Sequence, residues 1–289
     1  MDQKELLKRV RRIEIKTRVL SNNIFAGEYH SAYKGKGMSF SEVREYQPGD
    51  DVRDIDWNVT SRFNKPYIKV YEEERELTVM LLVDVSSSLA FGTSICYKRD
   101  MVTEIAATLA YSAILNNDKI GVVLFSDQVE CYIPPKKGKK HILYIISQLL
   151  NFIPERRGTD IGNAMEFLMH TQHKSCTSFL ISDLVDIHDY SNVLSVMARK
   201  HDMSVIQVYD RFSMELPDVG LLKIQDAENG EEHYINTSNP RIRTIYENLW
   251  RCRQKQLSER MKKSNIDMIS IRTDENFVRP LINLFAKRS

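Results

Sequence analysis

The sequence predicts an α/β fold in which a doubly wound, mostly parallel sheet carries helices on both faces. Short, continuous apolar runs recur along the chain, and each has the length of a strand buried on both faces. Longer segments with apolar residues at helical spacing lie between these runs. Strands that alternate with helices in this way are typical of a parallel sheet between two helical layers. A chain of 289 residues is long enough for a large core of this kind.

Four apolar runs define the predicted sheet. The first is LTVMLLVDV, which begins at Leu77, and the later ones are KIGVVLFS (119–126), CTSFLISDL (176–184) and MSVIQVYD (203–210). QVECYIP follows the second run and is predicted to be its hairpin partner, and IDMISIR is predicted to be the last strand.

Helices are predicted between the strands. Their segments are 98–116, KKHILYIISQLLNF, DIGNAMEFLMHTQ, 189–200, about 240–263 and FVRPLINLFAKR. Asp160 precedes the third of these and is a typical N-cap residue.

The chain is predicted to have three parts. Residues 1–23 contain a basic amphipathic helix, and residues 24–76 form a small N-terminal subdomain of strands and loops, rich in Gly, charged and turn residues. The α/β domain spans 77–289, with a hairpin inserted near 220–236. The hairpin is expected to turn at Glu228-Asn229-Gly230.

Charge gives no general reason to expect nucleic acid or a membrane as a partner. The chain has 41 Lys and Arg against 39 Asp and Glu, a formal net charge of +2. Basic patches occur at 8–18, 136–140 and 251–263, without interleaved aromatic residues. We interpret them as solvated surfaces, so no nucleic-acid partner is expected, although the N-terminal helix is a candidate for docking an acidic partner.

Cysteine usage and the N-terminus predict a soluble, cytoplasmic protein. Cys96, Cys131, Cys176 and Cys252 are widely spaced, without CxxC or zinc-site spacing, and we expect reduced core thiols. The first residues carry charges where a signal peptide needs an apolar stretch. The longest apolar-looking run, 141–153, is too short and too polar to span a bilayer, so no transmembrane segment is expected.

Hydroxyl and carboxylate side chains gather where predicted strands end. LLVDVSSSL places Asp84, Ser86 and Ser88 after the first buried strand, as D-x-S-x-S. Ligands of open parallel sheets bind at the carboxyl ends of the strands, and Thr159 (in RRGTDIGNAM) and Asp183 (in FLISDLVD) are predicted to reach the same edge. Hard oxygen ligands suit Mg²⁺, Mn²⁺ or Ca²⁺ rather than zinc or copper. These five residues are therefore the candidate metal ligands.

An ion held in this way leaves a role for a partner. Two carboxylates neutralise the double charge, and Mg²⁺ keeps water at positions that the protein does not fill. A carboxylate from another protein can take such a position, and the result is metal-dependent binding without a catalysed reaction. The alternative is structural: the serines and Thr159 could cap the segments that follow them, and Asp183 could be a turn residue.

In order and spacing, these five residues resemble the metal-ion-dependent adhesion site of von Willebrand factor type A domains. The stretch from GKGMSFSEVREYQPGDD through VDVSSS resembles the signature of the family labelled "domain of unknown function 58", where it precedes a von Willebrand A-like domain. The similarity runs from about residue 24 to the C-terminus. Members of that family are typically encoded beside MoxR-type AAA+ ATPases, and the resemblance implies an adaptor or co-chaperone role with such a partner.

Three functions are compatible with these patterns. The first is a non-enzymatic, Mg²⁺-dependent protein-interaction module. The second is a Mg²⁺-dependent, phosphatase-like hydrolase that uses the same site, and the third is a scaffold with a vestigial site whose basic helices bind the partner. The hydrolase is disfavoured because Ser86 stands where phosphatases of the haloacid dehalogenase type have a second Asp as general acid. Motifs for ATP hydrolysis, serine hydrolases and zinc proteases are absent from the sequence, so we assign no catalytic residue.

The acidic segment GDDVRDIDWN has two interpretations. It could be a second metal or partner site, or an ion-paired loop in which Trp57 is the buried anchor. We favour the ion-paired loop because three arginines lie nearby in sequence, Arg44, Arg53 and Arg62.

Overall fold

The computed structural model describes residues 39–63, 65–72, 77–92, 96–227 and 230–287. These residues fall into two compact units, one that ends at Leu77 and one that begins at Thr78. The predicted N-terminal helix and the predicted turn at Glu228-Asn229 lie outside the described residues.

The smaller unit is built on a two-stranded antiparallel sheet. Strand β1 (Ser39–Glu45) pairs with β2 (Tyr67–Glu72). The connection between them contains a 3-10 turn at Val52–Asp54 and a short helix, α1 (Trp57–Phe63).

The acidic segment in this connection is held by ion pairing and capping. Both terminal guanidinium nitrogens of Arg44 donate to the Asp50 carboxylate, at 2.9 and 2.8 Å, and this hydrogen bonding lowers the pKa of Asp50. Asp51 accepts from the backbone N–H of Arg53 at the start of the 3-10 turn. The favoured ion-paired interpretation is therefore confirmed for Asp50. Trp57 is the first residue of α1, a helix with no buried residue, and it is 70% exposed. The prediction that Trp57 is a buried anchor is therefore wrong.

The larger unit contains a six-stranded sheet and a separate hairpin. The strands in chain order are β3 (Thr78–Asp84), β4 (Lys119–Phe125), β5 (Val129–Lys136), β6 (Thr177–Ser182), β7 (Asp202–Tyr209), β8 (Leu221–Gln225), β9 (Glu232–Asn236) and β10 (Asp267–Arg272). The sheet order is β10-β7-β6-β3-β4-β5, and β8 pairs with β9 outside it. All neighbours in the sheet are parallel except β5, which runs antiparallel to β4. The predicted hairpin partner of β4 is thereby confirmed, and its two prolines, Pro134 and Pro135, lie on an edge strand where a missing N–H is tolerated.

Helices cover both faces of this sheet, as predicted. They are α2 (Lys98–Leu115), α3 (Lys139–Asn151), α4 (Ile161–Thr171), α5 (Ser191–Lys200), the short α6 (Arg211–Met214), α7 (Pro240–Lys263) and α8 (Val278–Ala286). Successive side chains of a strand point to opposite faces, so β3 contributes to two core layers. Leu81 and Val83 pack in the layer of α2, α3 and α8. Met80 and Leu82 pack in the layer of α4, α5 and α7.

The strand order creates a switch point between β3 and β6. After β3 the chain continues to β4 and β5 on one side, and it then crosses back to place β6 on the other side of β3. The two strands are in parallel register, with Val83 opposite Ile181. Residues that follow β3 and β6 therefore meet at one edge, where open α/β sheets bind ligands.

The described residues also bear on the cysteines and on membrane insertion. All four cysteines lie in the described ranges and stand outside disulfides, and Cys176 is buried. The prediction of four core thiols is wrong for Cys252, which is exposed on the solvent side of α7. Within the described ranges, no helix is long and apolar enough to cross a membrane.

Gly121 in β4 marks a tight contact between neighbouring strands. A Cβ at this position would lie 2.7 Å from the Met80 sulfur and 2.9 Å from both the Ile133 carbonyl oxygen and the Pro135 nitrogen. Two of these three atoms belong to the backbone of β5, which can yield only if the strand itself shifts.

We predict that Gly121→Ala lowers the free energy of unfolding by about 1–3 kcal/mol, the usual cost of overpacking a core. The matched control is Gly158→Ala, where the new methyl group meets its nearest neighbour, the Asp127 side chain, at an ordinary 3.4 Å. Urea denaturation of both variants measures the effect. Equal stabilities of the two variants would contradict the assigned contact.

Candidate metal centre

Asp84 is the last residue of β3, and its carboxylate is buried at the switch point. The residue is 1% exposed. Oδ1 accepts a hydrogen bond from the backbone N–H of Ser86 at 2.8 Å, and Oδ2 accepts one from the hydroxyl of Ser182 at 2.6 Å. Burial, together with the negative charge of Asp183, raises the pKa of the Asp84 carboxyl to about 7. A site with these properties favours either a proton or a cation beside Asp84.

The two serines of the motif present their hydroxyl groups together. The Oγ atoms of Ser86 and Ser88 lie 3.0 Å apart. Ser86 precedes the 3-10 turn Ser87–Ala90, yet its side chain makes no capping hydrogen bond there. The capping alternative therefore does not account for Ser86.

Thr159 lies in the loop before α4 and is 2% exposed. This loop contacts the motif directly, because the backbone N–H of Ser87 donates to the carbonyl oxygen of Arg157 at 3.1 Å. The cap of α4 is Asp160, whose Oδ1 accepts from the N–H of Asn163 at 2.8 Å. The predicted N-cap is thereby confirmed, and helix capping does not account for Thr159.

Asp183 follows β6 and is buried beside a lysine. It is 4% exposed, and its Oδ1 accepts from the backbone N–H of Val185 at 3.0 Å. Its Oδ2 lies 2.7 Å from Nζ of Lys98, the first residue of α2. Lys98 could not be identified from the sequence, because it is 85 positions away from Asp183 and stands in a stretch, CYKRD, without any distinguishing pattern.

Four of the five candidate ligands therefore lie at one edge of the sheet, and the fifth, Thr159, lies in a loop that is hydrogen-bonded to this edge. Asp84, Ser86 and Ser88 occupy the end of β3, Asp183 the end of β6, and Thr159 a loop bonded to the motif backbone. The donor set consists of hard oxygen atoms with two carboxylates, which fits Mg²⁺, Mn²⁺ or Ca²⁺ by its chemistry.

A second cluster, which sequence reasoning did not find, lies in the neighbouring loops. One potential ligand atom from each of Asp160, Asp186 and His188 lies within 4.8 Å of the others. Asp186 accepts from the backbone N–H of Ile161 at 2.9 Å and from Nδ1 of His188 at 2.9 Å, and this hydrogen bond raises the pKa of His188. These bonds join the loop after β6 to the start of α4, so we assign the cluster a structural role.

Cys176 and His201 form a buried pair that resembles a nucleophile and its base. The Cys176 sulfur lies 3.2 Å from Nδ1 of His201. Burial raises the pKa of the thiol to about 12, and burial also lowers the pKa of the imidazole to about 4. The thiol therefore stays protonated and the ring neutral, which makes the pair structural rather than catalytic.

The His201 ring makes stability depend on pH. In the unfolded chain the ring binds a proton below its ordinary pKa of 6.5, whereas the folded ring resists protonation down to about 4. The unfolded state thus binds more protons in this window. Stability from the neutral ring is complete above pH 6.5 and is lost as pH falls toward 4.

We predict that wild type loses more stability on acidification than His201→Asn, whose amide oxygen can still accept from the Cys176 N–H but does not titrate. Between about pH 6.5 and 5, the difference should approach about 1 kcal/mol per pH unit. Urea denaturation of both proteins across this range measures it. Because other groups titrate alike in both proteins, parallel pH profiles would contradict the buried neutral ring.

Comparison with known proteins adds family relationships. The profile of the family described as "Protein of unknown function DUF58" matches residues 42–256. An uncharacterized protein of Mycobacterium tuberculosis (strain H37Rv) is 28% identical over 291 residues, which cover 100% of this chain and 91% of the relative.

Two solved structures are similar to this chain at low sequence identity. The conserved hypothetical protein BatB from Bacteroides thetaiotaomicron has a TM-score of 0.45 at 14% identity, covering 73% of this chain and 98% of BatB. The SpRpn10 VWA domain (von Willebrand factor type A) has a TM-score of 0.40 at 11% identity, covering 72% and 95% of the two chains.

Proposed function

The chain belongs to the DUF58 family, and we propose that it works as a non-enzymatic, metal-ion-dependent protein-interaction module. The carboxylate of Asp84 carries this proposal. It is buried, its pKa is raised to about 7, and its hydrogen bonds come from the neutral donors Ser86 and Ser182. A buried carboxylate without a cationic donor is costly unless it takes up a proton or a positive charge approaches it, and a divalent ion is one source of that charge.

Five residues would hold the ion. They are the candidate ligands Asp84, Ser86, Ser88, Thr159 and Asp183, some of which act through water. Mg²⁺ is the proposed ion, and Mn²⁺ and Ca²⁺ share its preference for oxygen. When bound, the ion would be a positively charged centre that a partner's carboxylate can coordinate. Ser182 and the Ser86 N–H orient Asp84 by binding both of its oxygens.

The proposed partner is a protein that presents an Asp or Glu side chain to this edge of the sheet. A carboxylate is the natural last ligand for a hard cation that keeps exchangeable water. The sequence resemblance adds a MoxR-type AAA+ ATPase as the partner and an adaptor or co-chaperone role. We place the protein in the cytoplasm, where the thiols of its four cysteines would remain reduced.

We predict that Asp84→Ala abolishes Mg²⁺ binding in calorimetry and, with it, Mg²⁺-dependent capture of the MoxR-type ATPase in a pull-down. The loss follows from removal of one of the two carboxylates that neutralise the ion. The matched control is Asp218→Ala, an exposed carboxylate paired with Arg243 near the hairpin, which should bind as wild type does. Circular dichroism establishes that both variants are folded.

Two results would count against the proposal. Partner capture that is unchanged in excess EDTA would remove the metal dependence. Phosphatase or nuclease turnover with Mg²⁺ or Mn²⁺, lost on Asp84→Ala, would instead identify the site as a hydrolase centre.

A further inference from the structure

We propose that Lys98 is a built-in cation of the candidate metal centre, which competes with a divalent ion for Asp183 and weakens binding of that ion. The inference rests on the proposed function, because it concerns the same carboxylates. Lys98 is then a residue of this chain that sets how tightly the site holds its ion.

The ammonium group of Lys98 is held inside the protein rather than in solvent. Nζ lies 2.7 Å from Oδ2 of Asp183, and the two side chains are only 6% and 2% exposed. Nζ also lies 5.8 Å from the centre of the Phe91 ring, within the range of a cation–π contact. The backbone N–H of Lys98 donates to the Phe91 carbonyl oxygen at 3.0 Å, which fixes where the side chain begins.

Helix formation gives no reason for a lysine at this position. Lys98 is the first residue of α2, where the helix dipole favours acidic side chains and disfavours cations. Burial of the ammonium group adds a desolvation cost. The buried carboxylate of Asp183, 2.7 Å from the ammonium group, offsets both costs, so the position of Lys98 depends on the charge of the centre.

The charges of the centre lead to the effect on ion binding. With both carboxylates ionised, Lys98 reduces the net charge of the centre from −2 to −1, so a divalent ion meets half the negative charge. The ion must also displace the ammonium group from Asp183 or tolerate a like charge beside it. Repulsion between like charges a few ångströms apart is much stronger in a desolvated site than in water.

The test is calorimetric titration of the full chain with Mg²⁺ and with Mn²⁺. Lys98→Met removes the charge and keeps most of the length of the side chain, and we expect it to bind both ions at least about tenfold more tightly than wild type. Lys98→Gln, which can still donate a hydrogen bond to Asp183, should bind more tightly too and serves if the methionine variant does not fold. Lys140→Met is the matched control, since Lys140 is an exposed lysine in the first turn of α3, and its affinity should equal that of wild type.

Thermal unfolding supplies a second readout. Without a divalent ion, Lys98→Met should unfold at a lower temperature than wild type, because the carboxylates lose their counter-ion. Mg²⁺ should then raise its unfolding temperature by more than it raises that of wild type.

The outcomes separate this inference from the proposed function. If wild type and both Lys98 variants bind Mg²⁺ equally, the competition is overturned while the metal centre stands. If none of the three binds either ion, both ideas are overturned. Tighter binding confined to the Lys98 variants supports the inference.

Discussion

The larger unit is organised around two acidic side chains buried side by side at the switch point of its sheet. Asp84 and Asp183 end adjacent strands, and the proximity of their charges helps to raise the pKa of Asp84. Such a pair is tolerable only with compensation. The protein supplies two backbone N–H groups, the Ser182 hydroxyl and the Lys98 ammonium group. The strand order places both carboxylates at one junction, and the start of α2 places Lys98 against Asp183.

The fold was largely predictable because its signals are local. A strand buried on both faces must be apolar throughout, and a helix on a sheet must be apolar on one side. The apolar runs and helical spacings therefore predicted the strands and the longer helices of the sheet domain to within a few residues, but not the short helix α6 (Arg211–Met214). The α7 prediction matches Pro240–Lys263, and the α4 cap is Asp160, as expected. Trp57 and Cys252 failed because residue type sets only an average burial, and both project outward from helices.

The candidate site was only partly predictable. D-x-S-x-S is a contiguous motif, and Asp183 ends an apolar run, so both are visible in the sequence. Lys98 and Ser182 are not, because their roles depend on contacts between segments 85 to 98 positions apart. The same is true of the loop contact between Ser87 and Arg157, 70 residues later, which only the folded backbone reveals. Local sequence patterns identify the candidate ligands. The charged and hydrogen-bonding groups that surround these ligands can be identified only once the fold is known.

The boundary between β6 and β3 divides the six-stranded sheet into two halves of three strands, with the candidate site at their junction. Proteins open locally from their edges and termini before they unfold globally. Fraying of β5 or β10 would leave the hydrogen bonds between β6 and β3 intact. The residues at this junction thus belong to the part of the unit that opens last. If a partner pulled on the edges of the domain, the site would keep its structure until the whole sheet unfolded.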